Sequence, residues 1–434
     1  MRDVPARSAG PVVTLRAFAL ATHLGPTVAV TLVSTLLAVA AGLSGGRLAL
    51  LCVAVLAGQA SIGWSNDWLD ADRDRAVARA DKPVVQGAVE PSGLRTAALL
   101  AAVLSVILSL ALGVVPGLLL LVLVASGWAY NAGLKRTAAS VVPYVTGFGA
   151  LPAGVVAAAP GTPVAPWWLV AAGGALGAAA HFANVAPDLE DDRVTGVRGL
   201  PHRLGPTASA VIGALLLGGA TAVLVWGLDD VPAVARWGGL VLAVPVVVVA
   251  ALAGTPRFRR LAFPALMVLT VLVASGWAYN AGLKRTAVSV LPYVTGFGAL
   301  PAGVVAAAPG APLAPWWLVT AGAALGAAAH LANVAPDLED DLATGVRGLP
   351  HRIGARGSAV TGAVVLGMAS LVLVLGPDGP PTAAGWAGLA LAVPAVVVAA
   401  LAGTRRFRRP AFPAVMLLTV LDVLLLLAGG AAIT

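Results

Sequence analysis

The chain has 434 residues, 59% of them hydrophobic and only 11% charged, with a formal net charge of +8. So much apolar surface excludes the ordinary soluble globular class, and the single cysteine, Cys52, excludes an intrachain disulfide. The Lys and Arg residues fall between apolar segments, so the positive balance reads as loop charge of a membrane protein, with no nucleic acid as partner.

A spanning helix takes roughly 20 apolar residues to cross ~30 Å of hydrocarbon. Segments of that kind recur at 24–43, 48–65, 94–112, 114–130, 138–157, 165–185, 207–227, 233–253 and 261–279. The ten-residue alternation of a barrel does not appear. The expected fold is therefore all-α, a polytopic transmembrane helical bundle surrounded by membrane lipids. Loops between the spans are short and carry Pro and Gly, as at 112–117 and 159–166. Basic loops lie at 73–82, 135–136, 193–203 and 257–260, each two spans from the next. Charge asymmetry places them, and the N-terminus with Arg2, Arg7 and Arg16, in the cytoplasm.

One charged stretch breaks the apolar pattern. "SNDWLDADRDRAVARADKP", residues 65–83, holds four aspartates between Asn66 and Asp74, followed by Arg73, Arg75, Arg79, Asp81 and Lys82. Asn66, Asp70 and Asp74 are spaced i, i+4, i+8, which lines one face of a helix continuing the second span, with Asp67 at the edge of that face. A second stretch, "HFANVAPDLEDDRVTGVRGLPHRLG" at 181–205, repeats the spacing in Asn184, Asp188 and Asp192, with Glu190 and Asp191 between. Carboxylate and amide oxygens are hard ligands suited to Mg2+. That ion is held by few carboxylates and completes its shell with water and substrate phosphates. Two acidic faces on one side of a bundle are thus suited to clamp a diphosphate through metal ions. Lys135, Arg136, Arg73 and Arg198, in basic loops expected on that same side, are candidates to bind its remaining oxygens. Either stretch alone reads as a solvated loop; the matched pair points to a site.

"NDWLDADRD" resembles the NDxxDxxxD signature of the UbiA-type intramembrane prenyltransferases. "NVAPDLEDD" with the trailing "GVRGLPHRLG" is similar to their second aspartate motif, and "YNAGLKR" to the tyrosine–lysine segment after their fourth helix. The resemblance covers residues 16–270. It implies a nine-helix bundle with a lateral, lipid-open cavity, and Mg2+-dependent transfer of a prenyl group from a prenyl diphosphate to an aromatic or other lipophilic acceptor. By motif it assigns Asn66, Asp70, Asp74, Asp188 and Asp192 to metal, Lys135 to diphosphate and Tyr130 to the vicinity of the reacting carbon. "DKPVVQG" departs from the more usual Arg-Pro, so Lys82 is a looser match for a diphosphate contact. Tyr130, Tyr144 and Phe148 are candidates to face a developing carbocation. His181, one turn before Asn184, is a candidate to hold the acceptor or take its proton. His23, Trp167 and Trp168 read as interfacial residues.

The chain also repeats itself. "VLVASGWAYNAGLKRT" occurs at 122–137 and again at 271–286, an offset of 149 residues that holds without gaps to Phe258 and Phe407. A repeat of that size is a segmental duplication rather than a solenoid. It divides the chain into a core at 1–270 and, at 271–434, a copy of the 122–285 segment. The copy repeats His330, Asn333, Asp337 and Asp341 but carries no second NDxxDxxxD, so one complete site is expected. The repeated unit contributes five spans, an odd number. If 261–279 spans, the copy is inverted and its cations face outward against the charge rule; otherwise it keeps the first orientation. Nineteen residues suffice to cross, which favours inversion. An odd-helix repeat also suits a transporter, whose sites lie near mid-membrane on broken helices. A non-catalytic binder of lipid phosphates is a further reading.

Overall fold

The computed structural model describes residues 11–76, 82–189, 192, 196–227, 247–248, 250–255, 261–306, 313–343 and 345–428. Among these residues every regular element is helical. Eight helices are long and apolar enough to cross a membrane, or nine when one bent pair counts as a single span. The chain is thus an integral membrane protein of the all-α class. Most of the expected 233–253 span lies outside the described residues, as do Arg79, Asp81, Glu190, Asp191, Arg193 and the 257–260 cluster. The chain divides into two compact units, Met1–Leu266 and Met267–Thr434.

In the first unit, α1 (Pro11–Leu20) and α2 (Leu24–Ala40) form the bent pair, with 65° between them. The turn is made at His23, whose φ of 59° lies in the left-handed region. The 25-residue α3 (Gly45–Leu69) continues four residues beyond the expected end of its span and carries Asn66 and Asp67 within it. It breaks at Asp70 (φ −96°, ψ 0°), and α4 (Ala71–Ala76) follows. The first acidic motif is therefore a kinked helix end rather than the single straight face expected from its spacing. Its backbone ladder still runs through the kink, from Asp70 N–H to the Asn66 carbonyl (3.0 Å) and from Asp74 N–H to the Asp70 carbonyl (2.8 Å).

Next come α5 (Pro91–Ala111), α6 (Val114–Ala132), α7 (Val142–Ala157) and α8 (Trp167–Val185). At the end opposite the acidic motif, Arg47 donates to the Leu112 carbonyl (2.9 Å) and the Ala158 carbonyl (3.0 Å), satisfying the ends of α5 and α7. Outward-facing Leu100, Val103, Ile107, Val114 and Leu118 are exposed, as lipid contact requires. The helix α7 starts four residues later than expected, because 137–141 is a turn and Pro143 suits a first helical turn.

The pairing of α7 with α8 rests on small residues. Without a hydrophobic drive between helices in lipid, close backbone approach supplies the packing. Gly173, Gly177 and His181 recur every four residues and so share one face of α8. A Cβ at Gly173 would press on the Phe148 carbonyl, and one at Gly177 on the Tyr144 carbonyl. The two glycines therefore draw α7 in until its aromatic rings reach His181.

Beyond α8, α9 (Leu200–Leu204) leads into α10 (Pro206–Gly227). The junction is Gly205, at φ +81°, a conformation that glycine adopts without strain. The second unit repeats the pattern. It receives α11 (Ala262–Ala281) and contains α12 (Leu291–Ala306), α13 (Trp316–Val334), α14 (Leu338–Ala343), α15 (Leu349–Leu375), α16 (Ala383–Leu401) and α17 (Arg405–Ala428). In α15 the equivalent of the Gly205 junction is Gly354, at φ +73°.

Gly177→Ala is expected to lower stability by about 1–3 kcal/mol, the usual cost of overpacking. Gly219→Ala, at a position with nothing within 4 Å, is the control and should leave stability unchanged or slightly raised. Thermal unfolding in detergent measures both; equal effects would remove the close-approach argument.

Candidate active site

The C-terminal ends of α3, α6 and α8 meet at one end of the first unit, and each brings chemistry. The end of α3 presents Asn66, Asp67 and Asp70, and α4 adds Arg73 and Asp74. A 3-10 turn at Leu134–Arg136 follows α6 and presents Lys135. Another, Ala186–Asp188, follows α8, so Asp188 sits on a tightened turn rather than on the α-helical face its spacing predicts. Helix C-termini carry partial negative charge and favour cations within the last turn. Three of them together make this end a place for positive charge.

Asp70 and Asp74 are each 2% exposed, and Lys135 is 5% exposed. Lys135 Nζ reaches both oxygens of Asp70, at 2.6 and 2.5 Å. Burial pushes the Lys135 pKa down, and the Asp70 carboxylate pulls it back. Arg73 joins the two motifs. Its guanidinium lies 3.0 Å from Asp70 and 3.5 Å from Asp74 in the first, and 4.0 Å from Asp192 in the second. Asp192 is also 3.2 Å from His202 Nε2. Asn66 donates to Asp70 (3.3 Å) and to Asn131 Oδ1 (3.1 Å). Asn131 in turn donates to the Ile62 carbonyl and Ser65 Oγ, both at 2.9 Å, which fixes the end of α6 against α3.

Asp67 turns elsewhere. It is 1% exposed, and its Oδ1 accepts from Lys82 (2.6 Å) and lies 2.9 Å from His23 Nε2. This carboxylate ties residue 82 and the α1–α2 bend to α3, apart from the Asp70 cluster. His23 therefore belongs to a polar anchor. Trp64 Nε1 reinforces that anchor by donating to the Phe18 carbonyl (2.8 Å). Trp167, by contrast, is 75% exposed.

Behind the acidic cluster lies an aromatic box. Tyr130 meets Tyr144 edge-on at 5.2 Å between ring centres, Tyr144 stacks on Phe148 at 6.1 Å, and His181 lies 4.9 Å from Tyr144 and 5.7 Å from Tyr130. Asn184 Nδ2 contacts the Tyr144 hydroxyl at 3.4 Å. The buried Ser140 hydroxyl accepts the Leu200 N–H (2.8 Å) and lies 3.0 Å from His181 Nε2. Ser140 thus joins the Leu200 backbone amide to the ring of His181, one hydroxyl touching both. Arg136 and Arg198 are exposed at the rim, and no ion pair ties either of them among the described residues. The sequence singles out none of Asn131, Ser140 and His202, and it reads His23 as interfacial rather than as a partner of Asp67. Asn131 and His202 stand in quoted motifs and Ser140 just after one, but each is an isolated polar residue without spacing to single it out.

Residues 27–264 match the family model of the UbiA prenyltransferase family, and residues 234–421 match it a second time. The chain belongs to the UbiA prenyltransferase family. The double match accords with the duplication seen as a 149-residue offset. Among solved structures, an apo UbiA homologue from Aeropyrum pernix K1 aligns with a TM-score of 0.50 at 19% identity, over 58% of this chain and 97% of that one. A UbiA homologue from Archaeoglobus fulgidus, solved with GPP and Mg2+, aligns with a TM-score of 0.48 at 14% identity, over 62% and 99%. At such identities the Aeropyrum likeness speaks for the fold alone. No curated protein matches the chain in sequence.

The UbiA-type acidic end fits a hard dication. Its donors are carboxylate and amide oxygens, and a guanidinium already stands as a cation between carboxylates of both motifs. Among the described residues no three Asp, Glu, His or Cys side chains are close enough to hold one ion alone. An ion held here would therefore need water or phosphate oxygens to complete its shell.

Lys135→Met is expected to cost about 3 kcal/mol of stability, since it strips a buried carboxylate of a partner. The double variant with Asp70→Asn should recover part of this, giving a coupling of about 1–3 kcal/mol in a double-mutant cycle of unfolding free energies. Additive effects would show that the pair is not coupled.

Proposed function

We propose that this UbiA-family protein transfers a prenyl group from a prenyl diphosphate to an aromatic or other lipophilic acceptor inside the membrane, with Mg2+ as cofactor. The observation that carries the reading is Arg73 within 4.0 Å of carboxylates from both acidic motifs, next to a box of three aromatic rings and a buried histidine. A diphosphate and an apolar, cationic carbon need those two surroundings side by side.

In the reaction the allylic C–O bond breaks and its electron pair leaves on the diphosphate oxygen. A bond then forms from the acceptor to the freed carbon, and the acceptor loses a proton. Asn66, Asp70, Asp74, Asn184, Asp188 and Asp192 are the residues assigned to hold Mg2+. When bound, the ion supplies Lewis-acid stabilisation to the oxygens that gain charge. Lys135 and Arg73 bind diphosphate oxygens as charge-assisted donors, Arg136 and Arg198 supply further cations at the rim, and Lys82, buried on Asp67, adds its charge from behind. Tyr130, Tyr144 and Phe148 turn ring faces toward the cationic carbon, each contributing about 0.5–2 kcal/mol. The box keeps bulk water from the carbon. His181 orients the acceptor or receives its proton. Asp67 serves as the anchor of Lys82 and His23. The acidic end faces the cytoplasm on this reading, because Lys82, Lys135, Arg136 and Arg198 gather beside it.

Membranes containing the protein, incubated with Mg2+, a labelled prenyl diphosphate and a lipid extract, should yield prenylated products by mass spectrometry. Without Mg2+ they should yield none. Asp188→Ala should lower the rate by about 100-fold or more, on the scale of losing a transition-state charge contact. Asp337→Ala with Asp341→Ala should change it less than about twofold, since the copy carries no second NDxxDxxxD to complete a site with them. The reverse pattern would move the site to the second unit, and no diphosphate release with or without Mg2+ would overturn the reading.

A further inference from the structure

Arg73 occupies an unusual place for a substrate-binding cation. It lies inside the first acidic motif, between Asp72 and Asp74, on the short helix set off by the break at Asp70. Its guanidinium does not point at solvent. One nitrogen, Nη2, lies 3.0 Å from Asp70 Oδ2 and 3.5 Å from Asp74 Oδ1, and the other, Nη1, lies 4.0 Å from Asp192 Oδ1. Asp70 and Asp74 are almost wholly buried, and Asp192 is 18% exposed. Carboxylates this close and this buried require a cation, and here the chain supplies it.

The same carboxylates are the ones assigned to Mg2+, so the two positive charges compete for one place. A dication sharing those oxygens would stand close to the guanidinium, and like charges repel strongly in a partly buried setting. Arg73 has somewhere to go, because 21% of its side chain is exposed and its stem is long. A diphosphate offers the planar fork a matching pair of oxygens.

We propose that Arg73 is an internal counter-cation that keeps the dication out until diphosphate arrives. Resting on the prenyl-diphosphate reading, this makes binding ordered. In the empty protein Lys135 holds Asp70 from one side, and Arg73 is the cation that reaches Asp70, Asp74 and Asp192 together. Diphosphate draws the guanidinium off the carboxylates, and only then does the acidic pair accept Mg2+. Arg73 is thus a positioning residue for metal loading as well as a diphosphate contact. The physical gain is a buried acidic cluster that does not bind stray dications without substrate.

The test uses Mn2+ as a paramagnetic probe of the full-length protein in detergent, with bound metal read by electron paramagnetic resonance. Wild-type protein should bind Mn2+ weakly alone and at least about tenfold more tightly with geranyl diphosphate present. Arg73→Gln should bind Mn2+ at least about tenfold more tightly than wild type when diphosphate is absent, because the competing charge is gone. It should also bind geranyl diphosphate more weakly. Should the Gln variant fail to fold, Arg73→Met carries the same test, because it removes the charge and keeps an unbranched stem, and a Met variant that binds diphosphate-free Mn2+ no more tightly than wild type overturns the inference. Equal diphosphate-free Mn2+ affinity in wild type and Arg73→Gln also overturns it, while leaving the prenyl-diphosphate reading standing. No Mn2+ binding by wild type even with geranyl diphosphate overturns both.

Discussion

The first unit depends on matching buried carboxylates to cations at the C-terminal end of three membrane helices. Asp67, Asp70 and Asp74 are between 1% and 2% exposed. An unpaired carboxylate in such a place would shed its charge or unfold its surroundings. Removing one partner of a buried pair typically costs about 3–5 kcal/mol. The chain answers with Lys82 on Asp67, Lys135 on Asp70, and Arg73 on Asp70 and Asp74. Those pairings set the local path. They hold the turn after α6 against the end of α3, and they fasten residue 82 and the bend at His23 to the same helix. The charges of the candidate site are also the ones that hold these helix ends together.

The duplication offers an internal replicate of the aromatic half of the site. Ser140–His181 and Ser289–His330 are both 3.0 Å. Tyr144–His181 and Tyr293–His330 are 4.9 and 5.0 Å between ring centres. The substitutions between copies follow packing. Gly173 and Gly177, whose added Cβ would collide with a carbonyl, remain glycine as Gly322 and Gly326. Gly174, whose Cβ would sit 3.3 Å from the Val145 carbonyl, is alanine in the copy, Ala323. Phe182 becomes Leu331 without moving the histidine one position earlier. The backbone spacing set by two glycines, rather than the bulk around it, holds the ring cluster.

Much of this was legible from the residues alone. Apolar segment length carried the fold class, and the two N/D-x3-D-x3-D spacings pointed to the candidate site. Periodicity failed where the helix changed character. Asp70 ends α3 and Asp188 rides a 3-10 turn, so neither motif is the straight stripe that an i, i+4, i+8 count assumes. The kink has a consequence that spacing does not predict. It swings Arg73, which sits off the aspartate stripe by sequence, into the gap between the motifs. His23, Ser140 and His202 were illegible for another reason. Each acts on a residue more than forty positions away or through a backbone amide, except His202 on Asp192, and a lone polar residue carries no period.

The second unit separates fold from charge burial. It has a lysine, Lys284, where the first has Lys135, and carboxylates Asp337 and Asp341 where the first has Asp188 and Asp192. It has no counterpart of Asp70, Asp74 or Arg73. Lys135 is buried against Asp70, whereas Lys284 is only half-buried; Asp188 is half-buried, whereas Asp337 is exposed. Asp341 keeps its histidine, His351, at 3.3 Å, yet its side chain is 32% exposed against 18% for Asp192. The same helices with the same rings thus leave their charges in water when the opposing charges are missing. Burial of the acidic end is a property of the two motifs brought together, which is the condition a diphosphate site needs and the one the copy lacks.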